Sequence, residues 1–459
     1  MRNTFLLPEI RELIATENRQ ELQAFLEDLH PAVASEFLNE LEVSEILVIF
    51  NWLDAPLAAG IFAHLDVAKQ IAIAKFARPS EIGRILELMP PDDRADLFNE
   101  MSEHQQEKIL PTLSSVERAD VEKLSSYREG SAGAVMTSDY VTLRPSASAA
   151  EAIETLRYEA PRRETIYYAY CIDESRRLIG FVSLKDIILA SPAQKIVEFM
   201  HTEVLSVNVS TDQEEVAQII QKYDLIAIPV TDEAGILVGI ITHDDAIDIM
   251  TEEHTEDIEK LMAIAGTHEA GAYLKTPSLV HFRNRVGWLV GLSIAGMVSG
   301  MIIHSFEANI QRLMILALYM PMIADSGGNA GSQASTVVIR AIALKELVPG
   351  DIGKVISKEI KISVMLACVL GLLAWGKVLF LSAGSDIPAG FSLYSIAMVI
   401  GLSLSLQVVS SAVIGVILPL AAARLEMDPA LIASPALTTI VDITGLLIYF
   451  STATYLLGL

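Results

Sequence analysis

Over the first 130 positions apolar residues return at helical spacing, as in Phe25, Leu26 and Leu29 followed by Val33, Phe37, Leu38 and Leu41. A period near 3.6 predicts amphipathic helices and no strands. Pro31, Pro56 and Pro91 each open such a run, at the first-turn position where a missing N–H costs nothing. Short helices restarted in this way predict a stack of helical hairpins. From Ala134 the period shortens to that of strands and the pattern repeats. Val135-Met136-Thr137 is echoed by Phe199-Met200-His201, and Leu178–Asp186 by Leu237–Asp245, the second pair at an offset of 59 residues. Each copy holds short β-type runs, a helix (Ala149–Tyr158; Glu214–Tyr223) and a closing helix. Two copies of one α/β module packed together are expected.

After His281 the chain turns apolar in five stretches: Val286–Ile303, Leu313–Leu344 (interrupted), Ile362–Leu381, Phe391–Ala423 and Ala436–Leu459. A spanning helix needs about 20 residues, so each is long enough to cross a bilayer. Phe391–Ala423 exceeds one straight crossing, which predicts tilt or a bend at Pro419. The predicted architecture is therefore multidomain. An all-α helical-hairpin domain (1–130) is followed by a tandem α/β pair (131–250), a connecting helix (251–280) and a five-helix transmembrane domain (281–459).

Charge divides the chain at the same place. Residues 1–281 carry 49 acidic and 23 basic side chains, a net of −26, whereas the remainder has nine acidic and ten basic. A surface so acidic attracts cations and disfavours nucleic acid. Basic residues set the orientation. Arg283, Arg285, Arg340, Lys345, Lys354, Lys358, Lys361 and Arg424 fall on one side, while Arg312 and the snorkelling Lys377 fall on the other. The acidic part is expected in the cytosol and the C-terminus outside. Met1–Gln20 is charged throughout and predicts no signal peptide. Cys171 and Cys368 lie in regions of different character and imply no disulfide framework.

Inside the last apolar stretch stands one acid, Asp442, sharing a helix face with Thr438 and Gly445 at i, i+4 and i+7. A carboxylate at membrane depth costs about 2.5–3.5 kcal/mol on insertion scales and by default marks an ion path; the alternative is a protonated or paired acid with a packing role. The second stretch contains Asp325, Gly327, Gly328, Asn329, Gln333 and Thr336, a polar, glycine-rich run tolerated only against protein or water. Ser403, Gln407 and Ser411 form another polar stripe in the fourth, read as helix packing.

In the soluble part Asp92, Asp93 and Asp96 gather at a predicted helix start, where capping competes with a cation site shared with another domain. Asp244, Asp245, Asp248, Glu252, Glu253, Glu256, Asp257 and Glu259 crowd the segment leading to the membrane. Carboxylates this dense repel unless they share a cation, and oxygen-only clusters suit Mg²⁺ or Ca²⁺. Enzyme motifs are weak. Asp325-Ser326-Gly327-Gly328 imitates a serine-protease tetrapeptide but lies in a span, and His268-Glu269 lacks the second histidine of a zincin site. No P-loop or Rossmann fingerprint occurs, and the chain is not expected to be an enzyme.

Ile228-Pro229-Val230-Thr231-Asp232 followed by Leu237–Thr242 resembles the CBS (cystathionine-β-synthase) module. That resemblance implies a site for ATP at Ser183/Asp186 and Thr242/Asp245, residues that equally suit helix caps. The whole order of domains is similar to the MgtE family of bacterial Mg²⁺ channels. Pro321…Gly327-Gly328-Asn329…Gly331…Gln333, Thr438…Asp442…Gly445-Leu446, Ser131–Thr137 and Thr255-Glu256-Asp257-Ile258 carry the match. The resemblance implies a homodimer in the bacterial cytoplasmic membrane, with a pore on the two-fold axis lined by the second and fifth spans. It also implies that intracellular Mg²⁺, bridging the acidic surfaces, closes that pore. A channel for Co²⁺, Mn²⁺ or Ca²⁺, or a membrane-anchored CBS sensor, are the alternatives.

Overall fold

The computed structural model describes residues 7–262, 264, 273, 276–343, 346–347, 349–425 and 427–459. His268, Glu269 and Lys345, and most of positions 263–275, lie outside them. The chain divides into two compact units, 1–250 and 251–459.

The first unit opens with α1 (Leu7–Ala15), α2 (Arg19–Glu27), α3 (Pro31–Leu38), α4 (Val43–Phe50), α5 (Ala55–Ala63), α6 (Val67–Phe76), α7 (Pro79–Leu86), α8 (Pro91–Glu100), α9 (Glu103–Ile109) and α10 (Ser115–Leu124). Proline stands in the first turn of α3, α5, α7 and α8, so three of these starts are the ones periodicity predicts. Asp54 accepts from the Leu57 amide to cap α5. Because each helix is too short to persist alone, the stack is held by a common core in which Leu26, Leu38, Ile46, Ile49, Ile61 and Phe62 are wholly buried.

Two three-stranded sheets follow: β1 (Val141–Leu143), β2 (Tyr168–Ile172) and β3 (Leu178–Ser183), then β4 (Val207–Asn208), β5 (Ala227–Thr231) and β6 (Leu237–Thr242). In each, the first pair is parallel and the second antiparallel. Helices α11 (Ala149–Glu159) and α12 (Leu184–Leu189) serve the first module; α13 (Gln213–Tyr223) and α14 (His243–Leu261) serve the second.

The echoed segments are exchanged between the modules. Thr137 bridges Ile240 of β6, while His201 bridges Phe181 of β3. A methyl group on Gly239 would meet the Thr137 carbonyl at 2.9 Å and the Met136 sulfur at 2.5 Å; on Gly180 it would meet the His201 carbonyl at 2.8 Å. The repeated glycine is therefore where the other module's chain crosses the strand. Gly239→Ala should cost about 1–3 kcal/mol, since a backbone atom cannot yield as a side chain can. A thermal melt of the purified protein checks this, and an unchanged first transition would refute the close crossing.

In the second unit α15 (Ser278–Ser305) precedes α16 (Glu307–Arg312), α17 (Ile315–Ala343), α18 (Ile352–Leu381), α19 (Leu393–Arg424) and α20 (Pro429–Leu457). Among the described residues four helices are long and apolar enough to cross a membrane: α15, α18, α19 and the Ala436–Leu457 part of α20. The expected count of five apolar spans is thus reduced to four. Helix α17 has the length, at 29 residues, but its run of Asp325, Ser326, Asn329, Ser332 and Gln333 lowers its hydropathy. Helix α18 also begins at Ile352, ten residues before its apolar stretch, because Lys354, Lys358 and Lys361 continue the helix.

Candidate ion path and acidic cluster

Helix α19 is the centre of the second unit and packs on α17, α18 and α20. Its Ser403, Gln407 and Ser411 are wholly buried, so the fourth-stretch stripe faces other helices. Glycines make those contacts possible. A methyl group on Gly331 of α17 would lie 3.1 Å from the Ser411 carbonyl, and one on Gly415 of α19 would strike the Gly331 carbonyl. Close backbone approach through small residues is the usual means of helix association in lipid. Hydrogen bonds add direction: Tyr449 Oη of α20 donates to the Leu316 carbonyl at 2.9 Å, and Tyr319 Oη meets Ser382 Oγ at 2.8 Å.

With Gly327, Gly331, Ala334 and Val338 buried, the other side of α17 is left uncovered. Asp325, Asn329, Gln333 and Thr336 on α17 and Thr438 on α20 are exposed, Gly328 and Asp442 half-buried, and Gly445 buried. The predicted path residues therefore separate by role. Gly445 packs inside, whereas the polar groups line uncovered faces of the two helices that α19 holds together. Asp325 also lines a cavity of about 590 Å³ with Tyr319, Met322, Lys377 and Ser382, which gives this acid a basic neighbour that its position in the sequence does not disclose.

In the first unit a second constellation forms. Pro90 precedes α8 without capping it, and Asp92 and Asp93 occupy the first turn. Asp92 is 9% exposed and its Oδ1 makes no hydrogen bond to the protein. Burial raises the Asp92 carboxyl well above the usual range, and Asp245, Asp93 and Glu164 raise it further. Asp93 keeps surface open to water but sits in a cleft, where the surrounding protein and then Asp245 and Asp248 push it up to about 6. Glu164 is exposed but flanked by protein, and that surrounding protein, then Asp245, Asp244, Asp93 and Asp139, raises it to about 7. Burial, followed by Asp244 and Asp248, raises Asp245, against the lowering effect of its bonds from Thr242. Carboxylates gathered without a compensating cation destabilise one another.

Asp92 and Asp93 are thus placed with Asp244, Asp245 and Asp248, and Glu164, which sequence reasoning missed, joins them. Nothing along the chain could have found it, since it lies in a loop of the first module about 80 residues from α14. No three His, Cys, Asp or Glu side chains among the described residues converge closely enough to ligate one bare ion. The donor set fits a cation that keeps its water shell, as Mg²⁺ commonly does. Glu252, Glu253, Glu256, Asp257 and Glu259 belong to the other unit. There Lys260 pairs with Glu256 at 2.9 Å and with Asp428 at 3.2 Å. Burial first and Asp428 second raise Asp257. Asp96 lies one turn beyond Asp92 on α8 and is exposed.

At the expected nucleotide positions Ser183 and Asp186 form a reciprocal capping box on α12. Thr242 donates a short hydrogen bond to Asp245 through its hydroxyl and another from its amide at 3.1 Å. Both pairs start helices, and Asp245 serves the acidic cluster as well.

Comparison with known proteins is extensive. Residues 320–452 match the family model described as the MgtE divalent cation transporter, 29–130 the MgtE intracellular N domain, and 132–193 and 196–252 the CBS domain. The magnesium transporter MgtE of Thermus thermophilus is 36% identical over 455 residues, covering 98% of each chain. The chain belongs to the MgtE family of magnesium transporters. The Bacillus subtilis MgtE is 32% identical over 95% of this chain and 94% of its own. Among solved structures, the soluble part of a magnesium transporter matches with TM-score 0.51 and 31% identity, over 54% of this chain and 97% of that one. The cytosolic domain of the Mg²⁺ channel MgtE in complex with ATP matches with TM-score 0.50 and 36% identity, over 53% and 100%. An MgtE-family protein is a multi-pass membrane transporter, not an enzyme, and its CBS pair and apolar helices account for this chain's composition.

Proposed function

We propose that this MgtE-family chain is half of a homodimeric Mg²⁺ channel in the bacterial cytoplasmic membrane, and that intracellular Mg²⁺ closes it. The observation that carries the reading is the uncovered polar face: Asp325, Asn329 and Gln333 on α17 beside Thr438 and Asp442 on α20. Such a face is untenable against lipid. A second copy related by a two-fold axis would cover both faces and bring two Asp442 carboxylates to one path. Mg²⁺ sheds water reluctantly and is held through one or two carboxylates and several waters, which such a pair supplies. Helix α17 then acts as the fifth span, polar because it faces the path; its 29 residues reach about 43 Å. The side bearing Arg283, Arg285, Arg340, Lys354, Lys358, Lys361 and Arg424 is cytosolic, and the C-terminus is outside. With that orientation the membrane potential draws the cation inward.

The gate reading rests on the cluster of Asp92, Asp93, Glu164, Asp244, Asp245 and Asp248. Without cation these groups repel and favour separation; a hydrated Mg²⁺ among them favours the compact arrangement by differential affinity. Asp96 on α8 and Glu252, Glu253, Glu256, Asp257 and Glu259 on α14 are the remaining candidate carboxylates for regulatory Mg²⁺. Regulation by ATP at Ser183/Asp186 and Thr242/Asp245 is supported by the ATP complex of the related cytosolic domain.

Flux into proteoliposomes with Mg²⁺ stepped on the cytosolic face tests both parts. Inward flux should fall as cytosolic Mg²⁺ rises. Flux indifferent to it would refute the gate, equal passage of Co²⁺, Mn²⁺ or Ca²⁺ would favour a less selective channel, and no divalent flux would favour a CBS-based sensor.

A further inference from the structure

A wholly buried amide, not an acid, sits among the path helices. Gln407 of α19 is wholly buried, and its Nε2 donates to the carbonyl of Val441 at 2.8 Å. That carbonyl belongs to the peptide that joins Val441 to Asp442. The amide lies in a slot between two glycines on different helices: a methyl group on Gly327 of α17 would come within 2.5 Å of Gln407 Nε2, and one on Gly445 of α20 within 2.7 Å. Gln407 Oε1 makes no hydrogen bond to the protein. A leucine would fill this space without any unsatisfied acceptor, so a buried amide here costs stability that packing alone does not demand.

We infer that Gln407 is a positioning residue for cation selection: its amide, seated between Gly327 and Gly445, fixes the rotation and depth of α20 and so the placement of the Asp442 carboxylate. The inference rests on the reading of Asp442 as the path acid. One hydrogen bond between helices within a membrane contributes modestly to stability, so its loss should leave the fold intact. A carboxylate that selects among hydrated ions depends on position, and a small rotation of its helix changes which hydrated ion fits.

The test compares wild type, Gln407→Met, which keeps length and loses the donor, and Gly445→Ala, which pushes the amide aside from the other helix. Each is reconstituted, and the ratio of Mg²⁺ to Co²⁺ flux and the half-saturating Mg²⁺ concentration are measured beside maximal flux. Gln407→Met should lower the flux ratio about fivefold, the scale of one such hydrogen bond, with the melting transition and yield near wild type. Gly445→Ala should do the same, and the double variant should be no worse than either single one. An unchanged ratio and half-saturation, or a loss of flux that only tracks the amount of folded protein, would overturn the proposal. If Gln407→Met fails to reach the membrane, Gly445→Ala decides in its place by the same readouts. Asp442→Asn run in parallel separates the two readings. If it abolishes flux while Gln407→Met selects normally, only the Gln407 role is lost; if it leaves flux intact, the path reading falls first.

Discussion

Asp442→Ala should reduce Mg²⁺ flux in proteoliposomes to the level of empty vesicles, the largest single-residue effect expected in this chain. A fully hydrated Mg²⁺ is strongly solvated, and only fixed negative charge offsets moving it toward the middle of a low-dielectric layer. Within the Ala436–Leu457 span Asp442 is the one acid, and its neighbours on α20 are apolar or hydroxyl-bearing. In the proposed dimer alanine would remove both charges of a symmetric pair at once. Asp442→Glu should retain part of the flux with altered selectivity, because the charge survives while its distance from the α20 backbone changes. Persisting wild-type flux in Asp442→Ala would move the charge requirement to Asp325, whose neighbour Lys377 lines the same cavity, and Asp325→Asn would then become the decisive variant.

The second large effect concerns closure. In Asp92→Asn/Asp93→Asn/Asp245→Asn, flux should no longer respond to cytosolic Mg²⁺ over the range that inhibits wild type, a displacement of the half-inhibiting concentration of about tenfold or more, as loss of a few charge-assisted contacts implies. Asparagine preserves the shape of each side chain, and at Asp245 it still accepts from Thr242 to start α14, so the fold is retained. The change removes both the mutual repulsion of the open arrangement and the attraction for cation in the closed one. What disappears is therefore the dependence itself, whatever the basal level. A wild-type inhibition curve measured on this variant would exclude these carboxylates from the gate. Glu164→Gln tested separately should shift the curve in the same direction, since Asp245, Asp244 and Asp93 act on Glu164 through their charge.

Much of this architecture is legible in the sequence because it depends on local periodicity. The helix starts at Pro31, Pro56 and Pro91 and the duplicated Leu-x-Gly strand segments are local signals, and the tertiary structure respects them. Asp442 is equally local, since an acid in an apolar run needs no partner to be conspicuous. Less was available wherever meaning depends on what comes near. Glu164 looks like any loop glutamate until the fold places it beside α8 and α14. Gln407 stands in a stripe with Ser403 and Ser411 that reads as packing, because spacing discloses a face but not whose backbone carbonyl lies against it. Averaged hydropathy sets α17 apart from the four apolar helices for a related reason: it takes no account of sides, and Gly327, Gly331 and Ala334 are buried on one side of α17 while Asp325, Asn329 and Gln333 are exposed on another. The run of eight acidic residues along α14 likewise hid its division between two units and the neutralising role of Lys260 near Asp428.

The exchange of Met136-Thr137 and Met200-His201 across Gly239 and Gly180 has a consequence for how such a chain could have arisen. Each half of the duplicated region supplies the clasp that covers the other's strand, so a single copy would present an open apolar flank and lack the segment that closes it. An ancestral one-copy form could have been viable only by borrowing that clasp from a second molecule. Fusion of the two copies turned an encounter between molecules into an encounter within one, where the effective concentration no longer depends on expression level. A gene that loses either copy should therefore yield a protein that aggregates or pairs with a neighbour, rather than a smaller working sensor.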